Sequence, residues 1–224
     1  MSGADADAPD AARGGGAPGG GRRHPGLNVA HPHAESERRN EANVFGFWIF
    51  LMSDAVVFAL LLATYAVMVD RTAGGPTAAE LFELPRALAE TLLLLASSLA
   101  VGMAVLALKH DGGRRRGTLG WLLATLALGG AFLWLERGEL VSLLERDAVP
   151  SRSGFLSAFF TLVGAHGAHV AIGLVWIAFL IVQIVVLGAT PPVASRVLRL
   201  ALYWHLLDVV WIAIFSFVYL AGLA

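Results

Sequence analysis

Residues 154–187 read GFLSAFFTLVGAHGAHVAIGLVWIAFLIVQIVVL, a run with no aspartate, glutamate, lysine or arginine anywhere in it. At about 1.5 Å per residue it makes a helix of about 50 Å. The hydrocarbon layer of a bilayer is only about 30 Å thick, so such a helix crosses it tilted or projects beyond it. The run is too apolar and too long for a strand or a core helix of a water-soluble domain. It therefore decides the environment of the chain.

Four further blocks of the same kind lie on either side, at about 44–69, 85–108, 118–135 and 197–223. Together they predict an all-α fold, an integral membrane bundle of five transmembrane helices occupying residues 44–224. Composition agrees: 57% of the 224 residues are hydrophobic and 15% charged, where a soluble domain carries about a quarter charged. The connections are turn-forming or polar. Thr72-Ala73-Gly74-Gly75-Pro76-Thr77 joins the first two spans, with Pro85 placed for the first turn of the second. A polar loop with Glu139, Glu145, Arg146 and Asp147 leads to the fourth span, and the Pro191-Pro192 pair is expected to stop it. Residues 1–43 are rich in Ala, Gly, Pro, Asp and Arg, with His24, His31 and His33, and offer too little apolar surface to offset the entropy of ordering. They read as a disordered cytoplasmic tail. They lack the apolar core and cleavage site of a secretory signal, so the first block is expected to remain as an anchor.

Arginine placement sets the expected orientation. With the tail inside, the Lys109 to Arg116 turn and the Arg196 and Arg199 connection also lie inside, which gathers the basic residues on the cytoplasmic face. The N-terminus is then cytoplasmic and the C-terminus periplasmic. Arg114, Arg115 and Arg116 serve there as a topology signal, with contact to anionic headgroups as the second reading. Trp121 and Trp134, near the two ends of the third span, suit both interfaces. No nucleic-acid partner is expected. With no cysteine in the chain, thiolate-held copper, iron–sulfur clusters and Cys-ligated zinc are excluded from it.

An ionisable side chain at mid-bilayer costs about 2.5–3.5 kcal/mol on insertion scales, so each one faces a partner or a cavity. Asp54 lies near the middle of the first span, Glu90 a turn or two into the second within reach of the interface, and Glu136 at the end of the third. His166 and His169 share one face of the fourth span, beside Gly164, Ala168 and Gly173, which allow close helix approach. His205 and Asp208 form a second three-residue pair in the fifth, where Asp208 is placed to accept a hydrogen bond from an imidazole of its own or the facing helix. These seven residues are the expected intramembrane polar framework. Its plain reading is an interhelical hydrogen-bond knot fixing how the fourth and fifth spans pack. Its sharper readings are His166 or His169 with His205 clamping a haem or metal, and a proton relay through Asp54, Glu90 and Glu136. A relay-based carrier is disfavoured by the lack of any paired repeat of the spans.

Several longer stretches resemble one family. Gly46-Phe47-Trp48-Ile49-Phe50-Leu51-Met52-Ser53-Asp54, the Thr72 to Thr77 turn, Arg152-Ser153-Gly154-Phe155-Leu156-Ser157-Ala158-Phe159-Phe160, the His166 and His169 segment, and Trp204-His205-Leu206-Leu207-Asp208-Val209-Val210-Trp211 are similar to subunit III of bo-type quinol oxidases, within the haem–copper oxidase subunit III family. The resemblance runs from Asn43 to the C-terminus. It implies an accessory subunit, without a catalytic centre, of a bacterial inner-membrane complex that oxidises ubiquinol, reduces oxygen and pumps protons. Haems and copper are then expected in subunit I and none in this chain. Subunit I is the implied direct partner, subunits II and IV lie in the same complex, and phospholipid is held in a cleft. The histidine and Trp204 to Trp211 segments are shared with cytochrome c oxidase subunit III; the segments around Asp54 and Arg152 favour the quinol branch. Many relatives carry a glutamate where this chain has Asp54, so chemistry that depends on the longer side chain does not transfer directly.

Overall fold

The computed structural model describes residues 32–110, 115–188 and 190–222, with side chains placed from Val44 to Leu108 in the first of these stretches. Helix α1 spans Pro32–Met68, a short α2 Ala78–Leu81, α3 Leu84–His110, α4 Arg115–Glu145, α5 Gly154–Leu187 and α6 Pro191–Ile214. Helix α6 continues through a π-helical turn, Phe215–Leu220, and a 3₁₀ turn at Pro150–Arg152 precedes α5. Among the described residues there is no strand. Five segments are long and apolar enough to cross a membrane: Val44–Met68, Leu84–Leu108, Arg115–Glu145, Gly154–Leu187 and Pro191–Leu220. The five-span, all-α reading holds.

The chain divides into two units, Met1–Asn43 and Val44–Ala224. The disordered tail is expected over residues 1–43: residues 1–31, with His24 and His31, lie outside the described residues, as do residues 111–114 of the basic turn, whereas residues 32–43, with His33, are helical. Helix α1 starts at Pro32, ahead of the expected beginning at 44.

Two other boundaries differ from expectation. The fifth span begins at Pro191 rather than near 197: α5 ends at Leu187, where expected, with Gly188 as its C-cap, and Pro191 and Pro192 open α6. Proline suits a helix's first turn because the N–H it lacks has no partner there in any case. The third span does not end near 135: α4 runs to Glu145. Its buried stripe reads Gly129, Phe132, Glu136, Glu139, Leu143, at the three- and four-residue steps of one helix face. Two carboxyl groups occupy inward positions of that stripe, so the helix continues through them. The loop expected at Glu139 and Glu145 is thereby reduced to a short turn, and Trp134 lies well inside the helix rather than at its end.

Helices α3, α4, α5 and α6 form a closed ring in which α3 packs on α4, α4 on α5, α5 on α6 and α6 back on α3. Short connections between sequential neighbours make this the antiparallel order. Trp204 sits at its centre, fully buried. A Cβ added at Gly129 of α4 would lie 2.8 Å from the indole Cζ2, and one at Gly173 of α5 2.8 Å from Cζ3. The indole is thus clamped between two helix backbones, and its Nε1 donates to Ser97 Oγ of α3 at 2.9 Å.

The apolar part of α1 lies against this ring through large side chains. Phe47 meets Trp176, Phe50 meets Tyr203, Phe58 meets His169, and Tyr65 meets Phe155, with ring centroids 5.0–6.4 Å apart. The entry to α5 is fixed by Ser153, whose Oγ accepts from Leu156 N at 3.1 Å. Ser153→Ala is expected to cost about 1 kcal/mol, as for other lost N-caps. That predicts an earlier unfolding midpoint in detergent with unchanged helix content.

Candidate functional site

The polar framework resolves into three networks. In the first, His169 of α5 holds Nδ1 at 2.7 Å from Ala165 O and Nε2 at 3.2 Å from Asp54 Oδ1 of α1. A carbonyl can only accept, so Nδ1 carries a hydrogen and donates to Ala165. The Nε2 to Asp54 contact then needs one more proton, held on either the imidazole or the carboxyl. That proton can move between Asp54 and His169 with no change in the total charge of the pair. Tyr203 OH of α6 donates to His169 O at 3.0 Å, which ties the third helix into the group.

In the second network His166 Nε2 donates to Leu207 O of α6 at 3.3 Å. This leaves Nδ1 facing Glu136 Oε1 of α4 at 3.9 Å, ion-pair range rather than a hydrogen bond. Gly167 makes the room: a Cβ there would fall 2.6 Å from Glu136 Oε2. Further along the same interior, Arg86 Nε lies 3.6 Å from Glu90 Oε1, Arg86 Nη2 donates to Leu135 O at 2.6 Å, and Tyr219 OH donates to Glu139 Oε2 at 3.0 Å. Glu90 is fully buried, with Arg86 rather than the interface as its outlet.

The third network joins α3 and α6. His205 Nδ1 is 2.7 Å from Ser98 Oγ. The hydrogen bond expected between an imidazole and Asp208 is not formed; Ser98 takes that place, and Asp208 Oδ1 has no hydrogen-bond partner. Helices α5 and α6 are joined instead through the Leu207 carbonyl and the Tyr203 hydroxyl.

The structure thus brings Glu136 to His166 and Asp54 to His169, and sends His205 elsewhere. Phe58, Phe132 and Trp211 crowd His166, with centroids 5.1–6.3 Å from its ring. Its faces are covered by side chains, which leaves no slot for a macrocycle. Among the described residues no three His, Asp or Glu side chains converge in a metal-binding arrangement. Sequence reasoning missed Arg86, Ser98, Glu139, Tyr203 and Tyr219 as members of the framework. Glu139 alone carried a signal, its three-residue step from Glu136 and four-residue step to Leu143.

The pattern of the family described as cytochrome c oxidase subunit III matches residues 33–223. The chain belongs to that family. Among its relatives, the cytochrome bo(3) ubiquinol oxidase subunit 3 of Pseudomonas aeruginosa is 47% identical over 194 residues, covering 87% of this chain and 92% of the relative. The quinol oxidase subunit 3 of Bacillus subtilis is 45% identical over 196 residues, covering 88% and 95%. The cytochrome c oxidase subunit 3 of Bacillus sp. strain PS3 is 40% identical over 194 residues, covering 87% and 93%. Relatives named for both electron donors therefore align over nearly the whole subunit III fold.

Two apolar grooves flank α1 of this subunit III chain. One, of about 450 Å³, lies between α1 and the π-helical end of α6 and is lined by Leu62, Tyr65, Ala66 and Phe217 among others. The other, of about 250 Å³, lies between α1 and the start of α5 and is lined by Leu61, Met68, Gly154 and Ala158 among others.

Proposed function

We propose that the chain is the non-catalytic subunit III of a proton-pumping terminal ubiquinol oxidase in a bacterial inner membrane, packing directly on the catalytic subunit I, with subunits II and IV in the same complex. The observation that carries this reading is the near full-length identity, 47% and 45%, to relatives named as subunit 3 of ubiquinol and quinol oxidases. The 40% identity to a cytochrome c oxidase subunit 3 supports the second reading, in which the donor is cytochrome c. The test is to purify the complex through a tag on this chain and compare its oxidation of ubiquinol with that of cytochrome c. Oxidation of ubiquinol alone is expected, and oxidation of cytochrome c alone would transfer the chain to the other branch. A haem-binding role instead predicts a Soret band in the folded chain purified by itself.

Within the complex the chain supports stability, lipid binding and proton uptake of the catalytic subunit. The grooves beside α1 have the apolar lining that phospholipid acyl chains fill. The basic ends at Arg115 and Arg199 fit an orientation with the N-terminus in the cytoplasm and the C-terminus in the periplasm. Asp54 and His169 form the group suited to exchange a proton, because one proton serves both side chains. Asp54→Asn keeps an acceptor for His169 and removes the carboxyl that takes up the proton. The variant complex is expected to retain its haem and copper while losing proton-uptake rate or durability during sustained turnover. Loss of metal from the variant would instead make Asp54 an assembly residue.

A further inference from the structure

One face of the ring carries polar side chains at an open groove, and one of them, Asp208, has an oxygen without a hydrogen-bond partner. Ser98, Gly102, His205 and Asp208 line an open groove of about 490 Å³ between α3 and α6, walled by Leu95, Leu99 and other apolar side chains. Ser98 and Asp208 both lie near the middle of their spans, Leu84–Leu108 and Pro191–Leu220. The groove therefore opens at mid-bilayer depth, into the hydrocarbon layer. His205 is exposed there, and Leu99 and Val209 beside it are 68% and 63% exposed. Asp208 is 9% exposed and lines the groove; its Oδ1 is enclosed and without a hydrogen bond, so the carboxyl meets the groove through its other oxygen, Oδ2.

Acyl chains cannot satisfy these groups. A polar side chain facing lipid at that depth is costly, and such residues face a partner or a wet cavity. The backbone geometry points the same way. Ser98 and Gly102 stand one turn apart on α3, the small-xxx-small spacing that lets a second helix approach closely in a membrane. No atom lies within 4 Å of the position a Cβ would take at Gly102, so the approach is open.

We infer that this α3–α6 groove is the seat of a transmembrane helix from another subunit of the oxidase, one presenting a single hydrogen-bond donor, a hydroxyl or amide, at mid-depth to Asp208. The inference rests on the reading of the chain as an oxidase subunit and assigns the face through which it joins the complex. The small residues supply close backbone packing, and Asp208 with the outward nitrogen of His205 supplies the polar register that fixes the partner's depth.

The chain has no cysteine, so Leu99→Cys and Gly102→Cys each give a single site for a thiol-directed photocrosslinker in membranes holding the whole complex. Val175→Cys, on the exposed face of α5 (56% exposed), is the control. Crosslinks from positions 99 and 102 to another oxidase subunit, with few or none from 175, are expected. Predominant crosslinking from 175, or adducts at 99 and 102 only with lipid or a second copy of this chain, would overturn the assignment. Gly102→Leu provides an independent arm. Its side chain enters open space, so the variant is expected to insert and fold while co-purifying with the oxidase about tenfold less, about 1.4 kcal/mol of lost association. Undiminished co-purification would also overturn it. Failure of the unsubstituted chain to co-purify with any haem–copper enzyme is a separate result, and it would remove the functional reading itself.

Discussion

Trp204→Ala is expected to lower the stability of the ring by about 3–5 kcal/mol, the range for removing a large buried aromatic side chain. The indole touches every helix of the ring: it belongs to α6, lies between the Gly129 and Gly173 backbones of α4 and α5, and donates to Ser97 of α3. In a bilayer, helices gain little from hiding apolar surface, because lipid tails are equally apolar; association rests on packing and interhelical hydrogen bonds. Truncating Trp204 removes both from the centre of the fold at once. Ser97 keeps its bond to Leu94 O at 2.6 Å, so the loss is mainly one of packing. Unfolding of the purified chain in mixed micelles by added anionic detergent, followed by circular dichroism, measures it. Trp204→Phe should fall between wild type and alanine, and Gly173→Leu should be at least as damaging, since even a Cβ there meets the ring. A loss below about 1 kcal/mol for Trp204→Ala would mean that something else centres the bundle.

Arg86→Met is expected to cost about 3 kcal/mol by the same assay, because it leaves Glu90 buried without its counter-charge. Glu90 is enclosed among Arg86, Glu136 and Glu139, close enough for each to act on it electrostatically. Arg86 is the one cation of that group, and its stem reaches inward from a partly exposed position. Glu90→Gln added to Arg86→Met should recover a large part of the loss, since the acceptor left behind is then neutral. A double-mutant cycle over the two positions is therefore predicted to give a coupling well above 0.5 kcal/mol, the level at which contacting residues depart from additivity. Simple additivity would show that Arg86 acts through its bond to Leu135 O alone.

The spans were legible in the sequence because hydrocarbon imposes one requirement, a run of apolar residues long enough to cross. Val44–Met68 and Gly154–Leu187 lie where that requirement alone placed them. It misled at α4, where charge was read as exit from the membrane. Glu136 and Glu139 stay inside because Tyr219 and His166 come from helices far along the chain, and no local pattern reveals a partner 80 residues away. The same limit applies to the histidines. Spacing placed His166 and His169 on one face, yet the face is wide enough for one to turn toward α4 and α6 and the other toward α1. His205 and Asp208 are near neighbours in sequence, but Ser98 of α3 stands closer to the imidazole nitrogen. Proximity along the chain overstated their pairing.

The π turn at Phe215–Leu220 sets the phase of the last helix. A wider turn takes one residue more than an α-helical turn to advance the same way along the axis, so every side chain beyond it is rotated by about 100° relative to an unbroken helix. Tyr219, inside the turn, reaches Glu139 from there. Excising one residue from the turn would restore regular α-helix and swing the phenol to a different face. The surplus residue thus acts as an angular offset, and the aim of the C-terminal segment depends on chain length there as much as on residue identity.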